Sequence, residues 1–460
     1  MHPMPADQNA TPPPVKSPAA EASASTLLRQ VVALAAPTTL LAALQLVAQL
    51  VETALAARQG TAALAGWAVL LPFALLMQQM SAGAMGGGVV AAIARALGAA
   101  RRDEAAALVV HALLIACVGG LLFALGLSVF GGWMLEAVAG PASARSATSY
   151  SWWLFGAGAL PIWLTNTLAS VLRGGGRHGL AARTLTLMWV VLPVLSWALA
   201  EPAGMGLAGL GAAFALVYWL ATAVMAVVVM AGGAGFVPTL RIRPTWPLFQ
   251  RILSVGAVAC ALATVANLAT ILVTAQLRSY GTAAVAAYGI SARLEFMMIP
   301  LSFGIGAALT ALVGRAVGAG DWRTARRTAW IGGLLALLVA GCAGLATSWA
   351  PLAFVSMFTS DPAVSAIAAL ALAYIGPAFG FFGMGMAMYF AAMGAQRLLW
   401  PVVAGLARIT LAVGASAWLA SQAGMGMGLA GHFLGVALGI TAYGVLAAMG
   451  VRAAVWSARR

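Results

Sequence analysis

Charge is scarce in this chain. Only 7% of its 460 residues are Asp, Glu, Lys or Arg, against about 25% in ordinary soluble domains. With 63% hydrophobic residues and a mean hydropathy of +0.98, that poverty excludes a soluble globular fold. The composition reads as an all-α polytopic membrane protein. Cysteine and histidine are rare too. Cys117, Cys260 and Cys342 fall in apolar runs without a pairing framework, and His2, His111, His178 and His432 are scattered. This excludes a disulfide scaffold and argues against a zinc site. No convergent nucleophile, base or metal set is visible, so the chain does not read as an enzyme, and no cofactor is expected.

Lysine and arginine outnumber acids, 24 to 10, for a formal charge of +14. In a soluble protein that would suggest nucleic acid. Here all but five (Arg58, Arg145, Arg278, Arg293 and Arg408) lie in the N-terminal tail or in alternate loops. That asymmetry reports topology and anionic lipid headgroups, and places both termini in the cytoplasm. Residues 1–25, rich in Pro, Ala and Ser, read as a disordered cytoplasmic tail and not as a signal peptide.

Apolar runs predict twelve helices near 30–57, 62–95, 104–128, 146–172, 182–200, 207–231, 252–277, 283–313, 326–348, 361–392, 399–420 and 427–450. Residues 232–251, with Pro238, Pro244 and Pro247, form a cytoplasmic linker. It divides the chain into a lobe of six spans over 26–231 and another over 252–460. Gly60-Thr61-Ala62-Ala63 matches Gly281-Thr282-Ala283-Ala284. One span later Arg95-Ala96-Leu97-Gly98-Ala99 matches Arg315-Ala316-Val317-Gly318-Ala319. An even number of spans per half makes the copies parallel, about an axis along the membrane normal, with a central cleft between them.

The first span carries Thr38, Gln45, Gln49 and Glu52 at helical spacing. An ionisable group in lipid costs roughly 3 kcal/mol or more and by default marks a pathway. Glu52 could instead snorkel at the helix end near Arg58, but the two glutamines extend the polar track deeper. The equivalent span of the second half holds Thr264, Asn267, Thr270 and Thr274 and no acid. The second acid is Glu295, ~18 Å into the next span and near the midplane. Ser291, Met298 and Ser302 share its face, while Arg293 cannot pair with it along the helix. Expected cleft-lining residues are therefore Thr38, Gln45, Gln49, Asn166, Asn267, Thr270, Thr274, Ser291 and Met298, with Glu52 and Glu295 as ion-coupling groups. Pro37 and Pro300, beside these stripes, are the expected hinges. Asn166 with Ser170, and Gln78 with Ser81, read equally well as inter-helix hydrogen bonding. Trp152, Trp153, Phe155 and Trp163, and Met384, Met386 and Met388, could line a cleft or meet lipid. Arg95 and Arg315 read as headgroup anchors. Asp361, before Pro362, reads as a helix N-cap.

Several of these stretches resemble the multidrug and toxic compound extrusion (MATE) family. They are the early proline and Glu52-Thr53 of span 1, the Gly-led loop into Leu64-Ala65-Gly66, and the run from Arg293 to Ala325. That run is similar to bacterial members closer to the DinF-like branch. The resemblance covers about residues 28–450. It implies a MOP-type fold, two six-helix lobes around a V-shaped cleft, in a bacterial inner membrane. It further implies a monomeric antiporter that exports organic cations and other amphiphiles in exchange for H⁺ or Na⁺. Departures leave the coupling ion open: Glu52 stands where the family usually has Asp, and span 7 lacks the acid many members carry. A lipid-linked saccharide flippase of the same superfamily is the alternative, and it would be expected to place several arginines in the cleft.

Overall fold

The computed structural model describes residues 23–421, 425–452 and 454–457. The expected tail lies almost wholly outside them, as do Arg459 and Arg460. Among the described residues there is helix and no strand, the outcome lipid enforces on a backbone whose every polar group must be satisfied. Eleven helices are long and apolar enough to cross a membrane, and a bent pair makes a twelfth. They are α1 (Ala24–Arg58), α2 (Ala62–Gly98), α3 (Arg102–Val129), α4 (Ala147–Ala157 with Ala159–Gly174, bent by 42°), α5 (His178–Ala200) and α6 (Leu207–Met230). The second half holds α7 (Trp246–Tyr280), α8 (Thr282–Gly318), α9 (Trp322–Trp349), α10 (Pro362–Ala395), α11 (Leu399–Ala420) and α12 (Leu429–Met449).

The third and fourth spans fall close to where they were expected, at Arg102–Val129 and from Ala147 to Gly174. Gly119 lies against Trp163, Gly120 against Leu160 and Gly156 against Ser128, so the chain reverses between them and α3 and α4 pack as antiparallel arms.

Caps set several helix starts. Ser23 accepts from Thr26 N–H at 3.2 Å and Asp321 from Thr324 N–H at 2.9 Å. Asp361 accepts from the N–H groups of Ala363 and Val364 at 2.8 and 3.4 Å, which is the N-cap expected of it. The equivalent glycines Gly60 and Gly281 precede α2 and α8 with φ of 101° and 92°, a region open to Gly at little cost.

α1 and α7 pack across the halves, α1 against α8 and α7 against α2, as well as within their own. A third sequence repeat marks the two halves: Gly-Met-Gly-Leu-Ala-Gly at 204–209 recurs at 426–431. Gly206 and Gly428 both have φ 56°. Gly209 lies on the backbone of Leu199 and Ala200, and Gly431 on that of Leu419 and Ala420.

The halves meet closely at the end that carries the basic loops. Gly88 abuts Ile252 and Gly256. Gly98 abuts the carbonyl of Arg315, and Gly318 abuts the carbonyl of Arg95. Arg95 donates to the carbonyls of Gly394 and Met393 at 3.2 and 3.4 Å, at the end of α10. Arg315 donates to Gly175 O at 3.3 Å, just past α4. Each arginine thus caps a helix C-terminus of the opposite half, where cations and donors are favourable. The two contacts, equivalent in the two halves, form a reciprocal clasp. Arg251, at the start of α7, adds an ion pair to Glu104 of α3, which also pairs with Arg101 at 2.9 Å.

Candidate functional site

Between the halves lies a cavity of about 370 Å³. Ten spans line it; α3 and its counterpart α9 contribute none of the lining residues. Its polar lining includes Thr38, Gln45 and Gln49 from α1, Gln78 and Gln79 from α2, Asn166 from α4, and Asn267 and Thr270 from α7. Its charged lining residues are Arg173, Glu295 and Arg408. The apolar wall includes Trp189, Phe303, Met386, Tyr389 and Phe390. A largely apolar hollow with a few convergent polar groups is the usual form of a small-molecule site.

The two walls solve their polar chemistry differently. On the α1–α6 side, Asn166 donates to Gln78 Oε1 at 2.7 Å and to Ser81 Oγ at 2.8 Å. Gln78 donates to the Tyr218 hydroxyl at 2.8 Å, and Ser170 donates to Asn166 O at 2.7 Å. This network ties α2, α4 and α6 together while presenting Gln78 and Asn166 to the cavity, so both sequence readings of these residues hold at once. It runs beside a π-helical stretch, Gln79–Met85, a distortion common at functional sites.

On the α7–α12 side, Asn267 and Thr274 bond back to their own helix, to Ala263 O at 2.8 Å and Thr270 O at 2.7 Å. The charge there is an ion pair between Glu295 of α8 and Arg408 of α11. The Arg408 guanidinium also lies 5.3 Å from the Phe382 ring centre and 5.8 Å from that of Tyr443. Arg293, as expected, does not pair with Glu295; it lies over Phe358 at 5.4 Å. Replacing Arg408 by Leu orphans Glu295 and should cost about 2 kcal/mol, below the ~3–5 of a dry pair because the cavity reaches both groups. Adding Glu295→Gln should restore most of it. Thermal melts of the two single variants and the double variant check this, and additive losses would show the pair to be uncoupled.

Three expected lining residues stand elsewhere. Thr274 is not part of the lining. Ser291 is buried with no hydrogen-bond partner, and Met298 packs in the apolar core of α8, α10 and α12. The lining of α8 runs through Ala292, Glu295, Ile299, Pro300 and Phe303. Ser291 and Met298 fall on the other flank of Glu295 at 100° per residue. Trp163, Phe155, Met384 and Met388 are likewise buried in the packing, whereas Trp152 and Trp153 are exposed. Of the three methionines only Met386 reaches the cavity. Pro300 reaches it too and Pro37 does not, and the helices continue through both.

Glu52 is set apart from the cavity. It is buried, and its Oε1 has no hydrogen-bond partner. It lies beside Ser196 of α5 and within electrostatic range of Tyr150 of α4. The α1 stripe therefore divides: Thr38, Gln45 and Gln49 face the cavity, and Glu52 turns into the interior of α1–α6. Arg173 is the residue the sequence reading missed. It was grouped with the basic loop that follows, yet it is 4% exposed and faces the cavity.

The sequence matches the MatE family over residues 37–198 and again over 257–418, one match in each half. No curated protein matches it. Solved structures do. A MOP superfamily transporter from Pyrococcus furiosus, described as having a binding pocket whose reverse polarity suggests a different function, superposes with a TM-score of 0.86 at 19% identity, over 93% of this chain and 96% of that one. The Vibrio cholerae MATE transporter VcmN in its bent form gives 0.85 at 22% identity, over 94% and 98%. An outward-facing multidrug resistance MATE transporter of the MOP superfamily gives 0.84 at 19%, over 93% and 96%. At these identities the likeness shows the fold, and the two-fold sequence match shows the family: the chain belongs to the MatE family.

Proposed function

We propose that the chain is a secondary active exporter of amphiphilic organic molecules, driven by exchange with H⁺ or Na⁺ through alternating access. The observation that carries the reading is the central cavity, walled by both halves and bounded by the reciprocal Arg95 and Arg315 contacts. A site between two repeats can face either side as they rock. The excess of arginine at the clasped end makes that end cytoplasmic by the positive-inside rule, so the clasped form opens outward, in a bacterial inner membrane. Glu52 is the proposed coupling group, because Glu295 already has Arg408 as a partner.

A lipid-linked saccharide flippase is the second reading, since two arginines do line the cavity. One of them is neutralised by Glu295, which leaves Arg173 alone among the lining residues to meet a pyrophosphate. Purified protein in liposomes, given a ΔpH or a sodium gradient and a panel of dyes, tests the proposal. Gradient-dependent dye movement is the expected result, with single cysteines at Arg101 and Arg323 labelled from the cytoplasmic side and at Gly60 and Gly281 from the other. Dye movement that ignores both gradients would remove the antiport reading.

A further inference from the structure

The cavity carries an uncompensated positive charge. Its charged lining residues are two arginines and one glutamate, and the glutamate is committed to Arg408. Arg173 has no such partner. It stands in the last turn of α4, where its side chain is 4% exposed and its Nε makes no hydrogen bond. No ion pair among the described residues includes it. The other acid buried within a span is Glu52, which does not line the cavity. What Arg173 does meet is the ring of Phe303 on α8, 5.6 Å from its guanidinium carbon. A ring face satisfies part of a cation, but it accepts none of the five N–H donors in their plane.

A buried guanidinium without a carboxylate is expensive, and folding retains it only where something repays the cost. Phe390 stacks edge-on against Phe303, and the rest of the lining adds Trp189 and the side-chain amides of Gln45 and Gln49. We propose that Arg173 is the anchor for an oxyanion on the transported molecule, a carboxylate, sulfonate or phosphate, whose apolar body lies against the aromatic wall. The inference rests on the exporter reading and deepens it. The preferred substrates are acid-bearing or zwitterionic amphiphiles, not simple organic cations. A planar guanidinium takes two oxygens of such a group side by side. The Glu295–Arg408 pair, which lines the same cavity, serves as a second, charge-balanced contact, able to meet a cationic group on a zwitterion through Glu295.

The test compares two dyes that differ by one group, a carboxyl-bearing rhodamine and its ethyl ester. Fluorescence polarisation with the purified, detergent-solubilised transporter should show the acid binding at least about tenfold tighter than the ester. Arg173→Gln should remove that preference by weakening the acid by about tenfold more than the ester, and Arg173→Lys should keep part of it. Equal or weaker binding of the acid by the unaltered protein would overturn the inference, and that comparison decides even where the variants fail to fold. Equal weakening of both dyes by Arg173→Gln would also overturn it, showing that Arg173 only packs on Phe303. Liposome transport separates the two ideas. Acid-selective, Arg173-dependent binding without gradient-driven movement of either dye keeps the anion site and sinks the exporter. Driven export of the ester alone keeps the exporter and sinks the anion site.

Discussion

Glu52→Gln should leave the protein folded and able to bind dye but abolish accumulation against a gradient. The substitution keeps the size and polarity of the side chain and removes the one group on the α1 stripe that can change charge. It sits in a dry interior beside Ser196, with one carboxyl oxygen unpartnered. An amide there introduces no buried charge, so melting temperature should not fall. Glu52→Asp keeps the carboxyl but draws it back by one methylene, and part of the driven transport should survive. The measurement is ΔpH- or sodium-driven dye uptake into inside-out vesicles, with binding followed in parallel. Uptake by Glu52→Gln near that of the unaltered protein would dismiss this acid as the ion carrier.

Gly98→Val and Gly318→Val should each cripple transport without unfolding either half. Neither glycine has a positive φ, so the backbone does not demand Gly there. The demand comes from the other half, since a Cβ on either would overlap the carbonyl oxygen of Arg315 or Arg95. The overlap exists only while the clasp is shut. Overpacking costs about 1–3 kcal/mol, and charged to one state alone, about 2 kcal/mol shifts the balance of states roughly thirtyfold. Driven uptake should fall accordingly. A cysteine at Gln49, in the cavity lining, should become more reactive from the clasped side. Ordinary transport by both variants would show that the clasp does not limit the cycle.

The spans were legible because lipid imposes length and apolarity on every crossing helix, and the duplication was legible in the motifs led by Gly60 and Gly281. The Gly-Met-Gly-Leu-Ala-Gly repeat was equally open to view and went unused. Polar residues on apolar helices gave away Gln45, Gln49, Asn166, Asn267 and Thr270 as cavity neighbours. Spacing along one helix could not say which flank of Glu295 faces inward, hence the misplacement of Ser291 and Met298. Nor could it pair Glu295 with Arg408, 113 residues away on another helix. Arg173 was hidden by its neighbours in sequence: beside Arg177 and Arg183 it looked like loop charge, and only the bend of α4 and the approach of α8 turn it inward.

The reciprocity of the arginine clasp has a kinetic consequence. Arg95 holds the end of α10 and Arg315 holds the chain just past α4, and the two contacts are images of each other under the axis that relates the halves. In the proposed alternating access, a rocking motion about the midline should stretch both together, so that their rupture falls within one barrier. Reorientation of this transporter should accordingly follow a single exponential, and weakening either arginine should accelerate that one phase instead of exposing a second.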